Sequence, residues 1–121
     1  MAKQAAGGII RLGAKGPKAE RGRPGKIVAG KPVTTTRNFS IDPTGKFFCG
    51  IWTSSKGKWA IEYREEEFVY MISGKCRLID AGGRSQTFKA GDAFVIPSGF
   101  KGFWETLTPL KKYYAIYDAG A

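Results

Sequence analysis

The stretch Gly91-Asp92-Ala93-Phe94-Val95-Ile96-Pro97-Ser98-Gly99-Phe100 decides the fold of this 121-residue chain. Gly91-Asp92 is typical of a tight turn, and the apolar segment that follows it is typical of a strand. Pro97-Ser98-Gly99 is a second turn signal, because proline presets φ and glycine permits positive φ. The stretch therefore predicts a central strand between two sharp turns, after which the chain returns across the structure.

Short segments rich in Val, Ile, Phe, Tyr and Thr recur on both sides of this stretch, separated by Gly, Pro, Asp and Ser clusters. No window has the period of a helix, so the spacing predicts an all-β sandwich or barrel. Residues 68–72 are apolar on both faces, which predicts a strand in the middle of the structure. The candidate strands are 33–37, 46–53, 58–64, 67–73, 75–80, 84–88, 93–96, 102–107 and 112–118.

The composition limits the chemistry that the chain can perform. It contains no histidine, which excludes His-based nucleophile pairs, His general bases and His-ligated metal sites. Cys49 and Cys76 lack C-x-x-C spacing, so neither a redox motif, a zinc site nor a disulfide framework is expected. The groups that remain available for catalysis are the side chains of Asp, Glu, Lys, Tyr and Cys and the backbone. No cofactor is expected.

The length and the apolar runs bear on organisation and location. The chain has room for one domain. No apolar run approaches the roughly 18 residues that a membrane-spanning helix needs, and the first residues carry charges and glycines where a signal peptide has an apolar block. We therefore expect a cytoplasmic protein with no membrane partner.

Basic residues are concentrated near the N-terminus. The first 31 residues hold eight Lys and Arg against Glu20 alone, which is +7 of the net charge of +10. Their many glycines and few apolar residues predict an arm over residues 1–25, followed by the folded domain over residues 26–121. Such an arm can bind anionic polymers, but it has no aromatic residue for base stacking and no helical period. We favour a solvated arm, or one packed over a partner subunit, and do not expect nucleic-acid binding.

The motif spacing resembles that of the cupins. Gly91, five residues and then Pro97-Ser98-Gly99 match the second cupin motif, and Glu67 with Gly74 matches the Glu-x6-Gly half of the first. Residues 27–118 are similar to the small single-domain cupins grouped with the cupin domain of (S)-ureidoglycine aminohydrolase. The resemblance implies an RmlC-like double-stranded β-helix, which is a jelly-roll barrel, with the basic arm before it. Further matches are Gly50-Ile51-Trp52, Gly99-Phe100-Lys101-Gly102, Trp104-Glu105 and Lys112-x-Tyr114.

The resemblance also bears on metal binding. It implies that metal-binding members add His-x-His before the motif glutamate and another His after Pro-x-Gly. Those positions fall on Ala60, Glu62 and Gly102 here, and Glu67 alone is kept. One carboxylate, or two with Glu62, supplies too few ligands for a tight zinc, iron or manganese site. We therefore expect a metal-independent protein.

The interior of the barrel is the expected ligand site. The motif positions place Ala60 and Glu62 inward on one strand. A lysine near carboxylates in an aromatic enclosure can hold a charged ligand or shuttle a proton. Each residue also has a purely structural interpretation. The tryptophans can be core residues, and the tyrosines can simply bury their rings. Glu67 can belong to a solvated run of glutamates, and Lys112 can form an ordinary salt bridge. The candidate catalytic residues are Glu67, Lys112 and Tyr114, and the candidate ligand-binding residues are Glu62, Met71, Trp52 and Trp104.

Three functions are compatible with these features. The first is a metal-independent enzyme or binder of a small carboxylated or nitrogen-containing metabolite in the barrel cleft. The second is a non-catalytic, degenerate cupin that serves as a dimeric accessory or binding protein, and the third is anionic-polymer binding through the arm. A homodimer is expected, because the open edges at residues 27–28 and 33–37 can pair across a two-fold axis.

Overall fold

The computed structural model describes residues 7–121, and these residues form nine β-strands and no helix. A helix that could span a membrane is accordingly absent from residues 7–121. The predicted all-β class is confirmed. The strands are β1 (Glu20–Gly22), β2 (Ile27–Gly30), β3 (Thr34–Ile41), β4 (Phe47–Ser54), β5 (Gly57–Glu62), β6 (Glu66–Asp80), β7 (Ser85–Lys89), β8 (Ala93–Ile96) and β9 (Lys101–Tyr117).

The strands form one antiparallel sheet that curls into a jelly-roll barrel. Strand β9 pairs with β6 along one edge and with β5 and then β4 along the other. Strand β6 pairs with β7 and β8 along its second edge. The order β1-β3-β4-β9-β5-β2 places the first two strands at opposite ends of the curl. The two long strands β6 and β9 are therefore the centre of the barrel.

Strands β6 and β9 are each continuous where the sequence predicts two shorter strands. Gly74 and Pro109 lie in the gaps between these predicted strands. Gly74 has a φ of +82°, and a Cβ there would collide with the Pro109 carbonyl and the Leu110 backbone. The register between the two strands shifts around this contact, between Met71 and Cys76. The breakers therefore bend the paired strands and do not end them, as bulges do in barrels.

The apolar core fills the side of the barrel nearest β7 and β8. The rings of Phe88 and Phe94 stack at 3.9 Å, and Phe94 lies 6.5 Å from Trp104. The opposite side, enclosed by β3, β4 and β5, is left partly open. The buried apolar residues of the core are Trp59, Val69, Met71, Cys76, Leu78, Ile96, Trp104 and Leu110.

The N-terminal segment closes the curl. Strand β1 pairs with β3 and strand β2 pairs with β5, so the residues between them link the two ends of the sheet path. We call residues 22–26 the strap. Lys26 has a φ of 54° in the left-handed region, which is uncommon for a residue other than glycine. Residues 20–22, which the sequence assigns to the arm, are thus part of the sheet.

Candidate functional site

A cavity of about 390 Å³ lies inside the barrel beneath the strap. Strands β3, β4, β5 and β9 form its walls, and β6 contributes Glu67. The cavity has the volume of roughly a dozen water molecules, at about 30 Å³ each, and so suits a small metabolite. Its lining residues are Gly22, Arg23, Pro24, Thr34, Thr36, Trp52, Trp59, Ile61, Tyr63, Glu67, Trp104, Lys112, Tyr114 and Ile116.

A buried ion pair lies in the wall of this cavity. The Lys112 Nζ is 2.9 Å from Oε2 of Glu67, and the two side chains are only 5% and 3% exposed. Glu67 lies opposite Ile116 and Lys112 lies opposite Met71 in the β6–β9 ladder, so both point to the same face of the sheet. Buried charges of this kind are tolerated only when they are paired and hydrogen-bonded.

Aromatic rings enclose the ammonium group of Lys112. Its Nζ lies 4.4 Å from the centroid of the Trp52 ring and 4.3 Å from that of Trp104. The two rings meet edge to face at 5.5 Å, and Trp52 is the direct cross-strand neighbour of Lys112. The negative faces of indole rings attract a cation at this distance. Two tryptophans and one carboxylate therefore hold the lysine in place.

Two tyrosines add hydroxyl groups to the cavity. Tyr63 donates a hydrogen bond of 2.7 Å to Oε1 of Glu67, and Tyr114 donates one of 2.8 Å to Oδ1 of Asn38. Burial, together with the negative charge of Glu67, raises the pKa of Tyr63 well above the ordinary tyrosine value. Burial also raises the pKa of Tyr114. Both hydroxyls are therefore protonated donors at neutral pH.

A glycine makes room for one of these hydroxyls. Gly50 lies opposite Tyr114 in the β4–β9 ladder, and a Cβ at Gly50 would come within 2.7 Å of the Tyr114 oxygen. The same Cβ would collide with the carbonyl of Arg37 on β3. The small residue at position 50 thus permits both the close approach of β3 and the position of the tyrosine.

The arrangement can recognise an anion and can move a proton. An ammonium group has three N–H donors, and Glu67 accepts one of those of Lys112, which leaves donors for a ligand in the cavity. Tyr63, Glu67 and Lys112 form a continuous chain of a hydroxyl, a carboxylate and an ammonium. Such a chain is suited to general acid–base chemistry when a substrate lies beside it.

Most of the candidate residues lie together. Five of the seven line the cavity, namely Glu67, Lys112, Tyr114, Trp52 and Trp104. Met71 is fully buried in the core behind the cavity wall, with its sulfur 4.0 Å from that of Cys76. Glu62 is exposed on the outside of β5, opposite Lys101. These two residues are therefore not brought to the cavity.

The inward orientation expected for Ala60 and Glu62 is wrong. Strand β5 turns Trp59, Ile61 and Tyr63 into the cavity. Burying this apolar set removes more apolar surface from water than burying Ala60 and Glu62 would, and a shift of one residue exchanges the two faces of a strand. Tyr63 is thus a site residue that the motif register missed, although it alternates with Trp59 and Ile61 along the strand in the way that a buried face does.

The strap supplies further lining residues that the sequence did not indicate. Gly22, Arg23 and Pro24 border the cavity, and Arg23 brings a second positive charge to it. Residues 1–25 were predicted as an arm from composition alone, and no local signal relates this segment to the barrel interior. Its position depends on the pairing of β1 with β3 and of β2 with β5.

The donor set of the cavity does not fit a transition metal. No group of three or more Asp, Glu, His or Cys side chains that could hold a metal occurs within residues 7–121. The Lys112 ammonium already lies against Glu67, which is the motif carboxylate, and the remaining neighbours are indole rings and hydroxyls. Zinc, iron and manganese need several anionic or imidazole ligands around one point.

Comparison with known proteins identifies relatives of the barrel. The family profile of the EutQ-like cupin domain matches residues 41–114. The Clostridium difficile EutQ protein superimposes with a TM-score of 0.65 at 22% identity, over 74% of this chain and 65% of that one. A Pseudomonas syringae protein of unknown function from the DUF861 family gives a TM-score of 0.71 at 19% identity, over 90% of this chain and 44% of that one.

An enzyme is also among the similar structures. Ectoine synthase from P. lautus gives a TM-score of 0.62 at 17% identity, over 70% of this chain and 64% of that one. In all three comparisons the matched part is less than two thirds of the other chain, and identities this low establish the shared fold alone. No curated protein matches the sequence.

Proposed function

We propose that this chain, which belongs to the family of EutQ-like cupin domains, binds a small organic acid in its barrel cavity without the help of a metal. The family profile matches residues 41–114. The observation that carries this proposal is the buried Lys112 ammonium, held by Glu67 and two indole rings at the edge of the cavity. A carboxylate or carbonyl oxygen of a ligand can accept hydrogen bonds from the remaining N–H donors of Lys112.

The charge of the cavity supports an anionic ligand. Arg23 and Lys112 contribute two positive charges to the lining, and Glu67 contributes one negative charge. A free organic cation would meet an aromatic enclosure that already contains the lysine ammonium, so like charges would repel. The carboxylate of an organic acid would instead have two positively charged partners, Lys112 in the cavity wall and Arg23 on the strap. The indole rings of Trp52, Trp59 and Trp104 offer contact area for its apolar part.

The finer resemblance, to the cupin domain of (S)-ureidoglycine aminohydrolase, supports a ligand that carries nitrogen as well as a carboxylate. An N–H group of such a ligand can donate to the carboxylate of Glu67, which already accepts from Tyr63 and Lys112 and has further lone pairs. The carboxylated, nitrogen-containing metabolite expected from the sequence is the ligand class that we propose.

Catalysis is a second candidate function of the same cavity. The hydrogen-bonded chain from Tyr63 through Glu67 to Lys112 favours it, because a proton can pass between a bound ligand and this chain. In this proposal Glu67 and Lys112 exchange the proton with the ligand, and Tyr63 holds the Glu67 carboxylate in position. Tyr114 would orient the ligand through its hydroxyl group.

The ligand class can be tested with three probes of the same carbon skeleton. We suggest titrating the protein with phenylacetate, phenethylammonium and 2-phenylethanol and following tryptophan fluorescence, since all three tryptophans of the chain line the cavity. Phenylacetate is expected to bind at least about tenfold more tightly than the other two, which is about 1.4 kcal/mol. Equal affinity for the three probes, or a preference for the ammonium, would contradict the proposal.

Variants locate the binding site. Lys112→Met, assayed at low temperature, is expected to abolish the preference for phenylacetate, and Lys75→Met on the exposed part of β6 is the matched control. Arg23→Gln lies on the exposed strap and leaves the barrel core untouched, so it tests the site even if the Lys112 variant unfolds. We expect Arg23→Gln to weaken phenylacetate binding several-fold. If no probe binds and no metabolite stabilises the protein, the non-catalytic accessory function replaces this proposal.

A further inference from the structure

The wall of the barrel has an opening beside the strap. The strap is tied to β5 by a hydrogen bond of 3.1 Å, which the Ala60 amide donates to the Lys26 carbonyl. The strap then leaves β5 and crosses to β3, and the left-handed φ of Lys26 lies where the two diverge. Beyond Ala60, no strand pairs with this edge of β5 within residues 7–121. We call the resulting gap, between residues 24–26 and residues 61–63, the window.

The cavity meets a groove on the outside of the barrel at the window. Pro24, Ile61 and Tyr63 border both spaces, so the two spaces share the rim of the window. Glu62 and Arg64 turn to the outer face of the barrel and border the groove alone, because successive side chains alternate between the faces. A ligand that is longer than the cavity therefore has room to extend through the window into the groove.

The free edge of β5 presents a backbone donor in the window. Alternate residues of an antiparallel strand direct their backbone groups to the same edge, so those of Glu62 face the same way as those of Ala60. The Ala60 amide is bonded to the strap, whereas Glu62 has no strand partner on this edge in the described part of the chain. The opposite edge of β5 is closed, because the Tyr63 amide donates a hydrogen bond of 2.8 Å to the Phe100 carbonyl. The Glu62 amide is therefore available to a ligand oxygen.

The groove also carries one positive charge that no neighbouring charge offsets. Arg64 forms an ion pair of 3.0 Å with Asp118. Glu62 lies directly opposite Lys101 on β9, and opposite charges in this position attract each other across the strands. Lys26 is exposed, and it forms no ion pair with any residue that the structure describes. The Lys26 ammonium group is therefore the charge that the groove offers to a ligand.

We infer that the ligand of the cavity is a dicarboxylic acid, with one carboxylate inside the barrel and the other in the groove. The inference rests on the proposed function, in which the inner carboxylate binds Lys112 and Arg23, and it adds a second carboxylate to that ligand. The outer carboxylate binds the Lys26 ammonium and the Glu62 amide, which are charged and neutral donors at the same opening. An ammonium group at this end would be repelled by Lys26, and a methyl group would leave both donors without a ligand partner.

The test compares probes that differ only in their far end. Linear dicarboxylates from succinate to suberate are titrated into the full chain at low ionic strength, each beside the monocarboxylate and the terminal amino acid of the same chain length. Isothermal titration calorimetry measures the affinities. At the length that spans the window, the dicarboxylate is expected to bind at least about fivefold more tightly than both other probes, which is about 1 kcal/mol. Equal affinities at every length, or a preference for the amino acid, would overturn the inference.

A pair of lysine variants locates the outer carboxylate. Lys26→Met is expected to remove the advantage of the dicarboxylate over the monocarboxylate. Methionine and lysine both carry a Cβ, so the left-handed φ at position 26 is equally demanding for both. Lys31→Met, which lies exposed just after the other end of β2, is the matched control and is expected to keep the advantage. An equal loss in both variants would mean that the outer carboxylate responds only to the net charge, and would overturn the inference.

Phenylacetate separates the failure of this inference from the failure of the proposed function. If phenylacetate binds with the preference expected above and no dicarboxylate exceeds its monocarboxylate, the outer site is wrong and the proposed function stands. If neither phenylacetate nor any of the linear acids binds, the proposed function fails and the inference fails with it.

Discussion

At the scale of single residues, the main feature of the cavity is the buried ion pair between Glu67 and Lys112. The carboxylate accepts from both Tyr63 and Lys112, and the ammonium lies between two indole rings. The carboxylate and the ammonium are therefore each held by a partner, and both keep hydrogen-bonding capacity for a ligand. The loss of any one leaves a charged partner in a site with little access to water.

Lys112→Met should reveal this dependence in the free energy of unfolding. Methionine keeps the aliphatic stem but leaves Glu67 without its counter-charge, so stability should fall by about 3–5 kcal/mol. Adding Glu67→Gln removes the stranded charge, and the double variant should lose less than the sum of the two single variants. Urea unfolding at one protein concentration measures this, with Lys75→Met expected within about 0.5 kcal/mol of the wild type. Additive losses would show that the two residues do not interact.

Tyr63 predicts a dependence of stability on alkaline pH. Its pKa is raised in the folded protein by burial and by Glu67, so the unfolded chain ionises first as the pH rises past the ordinary tyrosine value of about 10. The stabilisation from the protonated hydroxyl is complete below that pH and is lost above it. The free energy of unfolding should therefore decrease less from near pH 8 to near pH 11 for Tyr63→Phe than for the wild type. The same loss in both proteins would show that Tyr63 does not contribute.

At the scale of elements, the N-terminal segment is a part of the barrel that its composition does not indicate. Strand β1 pairs with β3, the strap lines the cavity, and residues 13–17 are held by Arg37, whose guanidinium also lies 4.9 Å above the Phe39 ring. Low apolar content predicted an arm because burial of apolar surface is the usual source of order. Here backbone carbonyls bonded to one arginine provide the order instead.

Arg37→Gln should release this segment. The glutamine amide cannot replace three guanidinium contacts, so residues 13–17 should separate from β3 and become accessible to protease. Trypsin cleavage after Lys15 and Lys18 should be several-fold faster than in the wild type, while cleavage within the barrel stays unchanged. Lys46→Gln, on the connection before β4, is a control with the same loss of charge. Unchanged cleavage after Lys15 and Lys18 would show that Arg37 does not hold the segment.

At the scale of the whole molecule, the barrel follows the cupin fold while its cavity is organised around a lysine. Ligands for a metal are too few among residues 7–121, and a positive charge of the protein itself lies beside the motif glutamate. This fixed ammonium group is the observation on which the proposed binding of an organic acid rests.

The purified protein is expected to contain no stoichiometric manganese, iron, zinc or nickel, since Glu67 is engaged by Lys112 and Tyr63. A chelator should leave the melting temperature unchanged, because no bound metal contributes to folding. Elemental analysis of protein prepared without added metal is the measurement, with metal-supplemented protein as the control. About one equivalent of any of these metals per chain would contradict the expectation and would reopen the question of the Glu67 ligand set.

The sequence by itself determined the all-β class and most of the strands, and five of its seven candidate residues line the cavity. Turn signals such as Pro97-Ser98-Gly99 and the alternation along residues 58–64 are local properties, and local geometry follows from them directly. Only the tertiary structure decided which face of β5 points inward, that Tyr63 and Arg23 join the cavity, and that Gly74 bends β6 without ending it. These outcomes depend on which distant strand packs against each segment. A strand's own sequence does not fix which of its residues become buried, because burial comes from contacts with other strands.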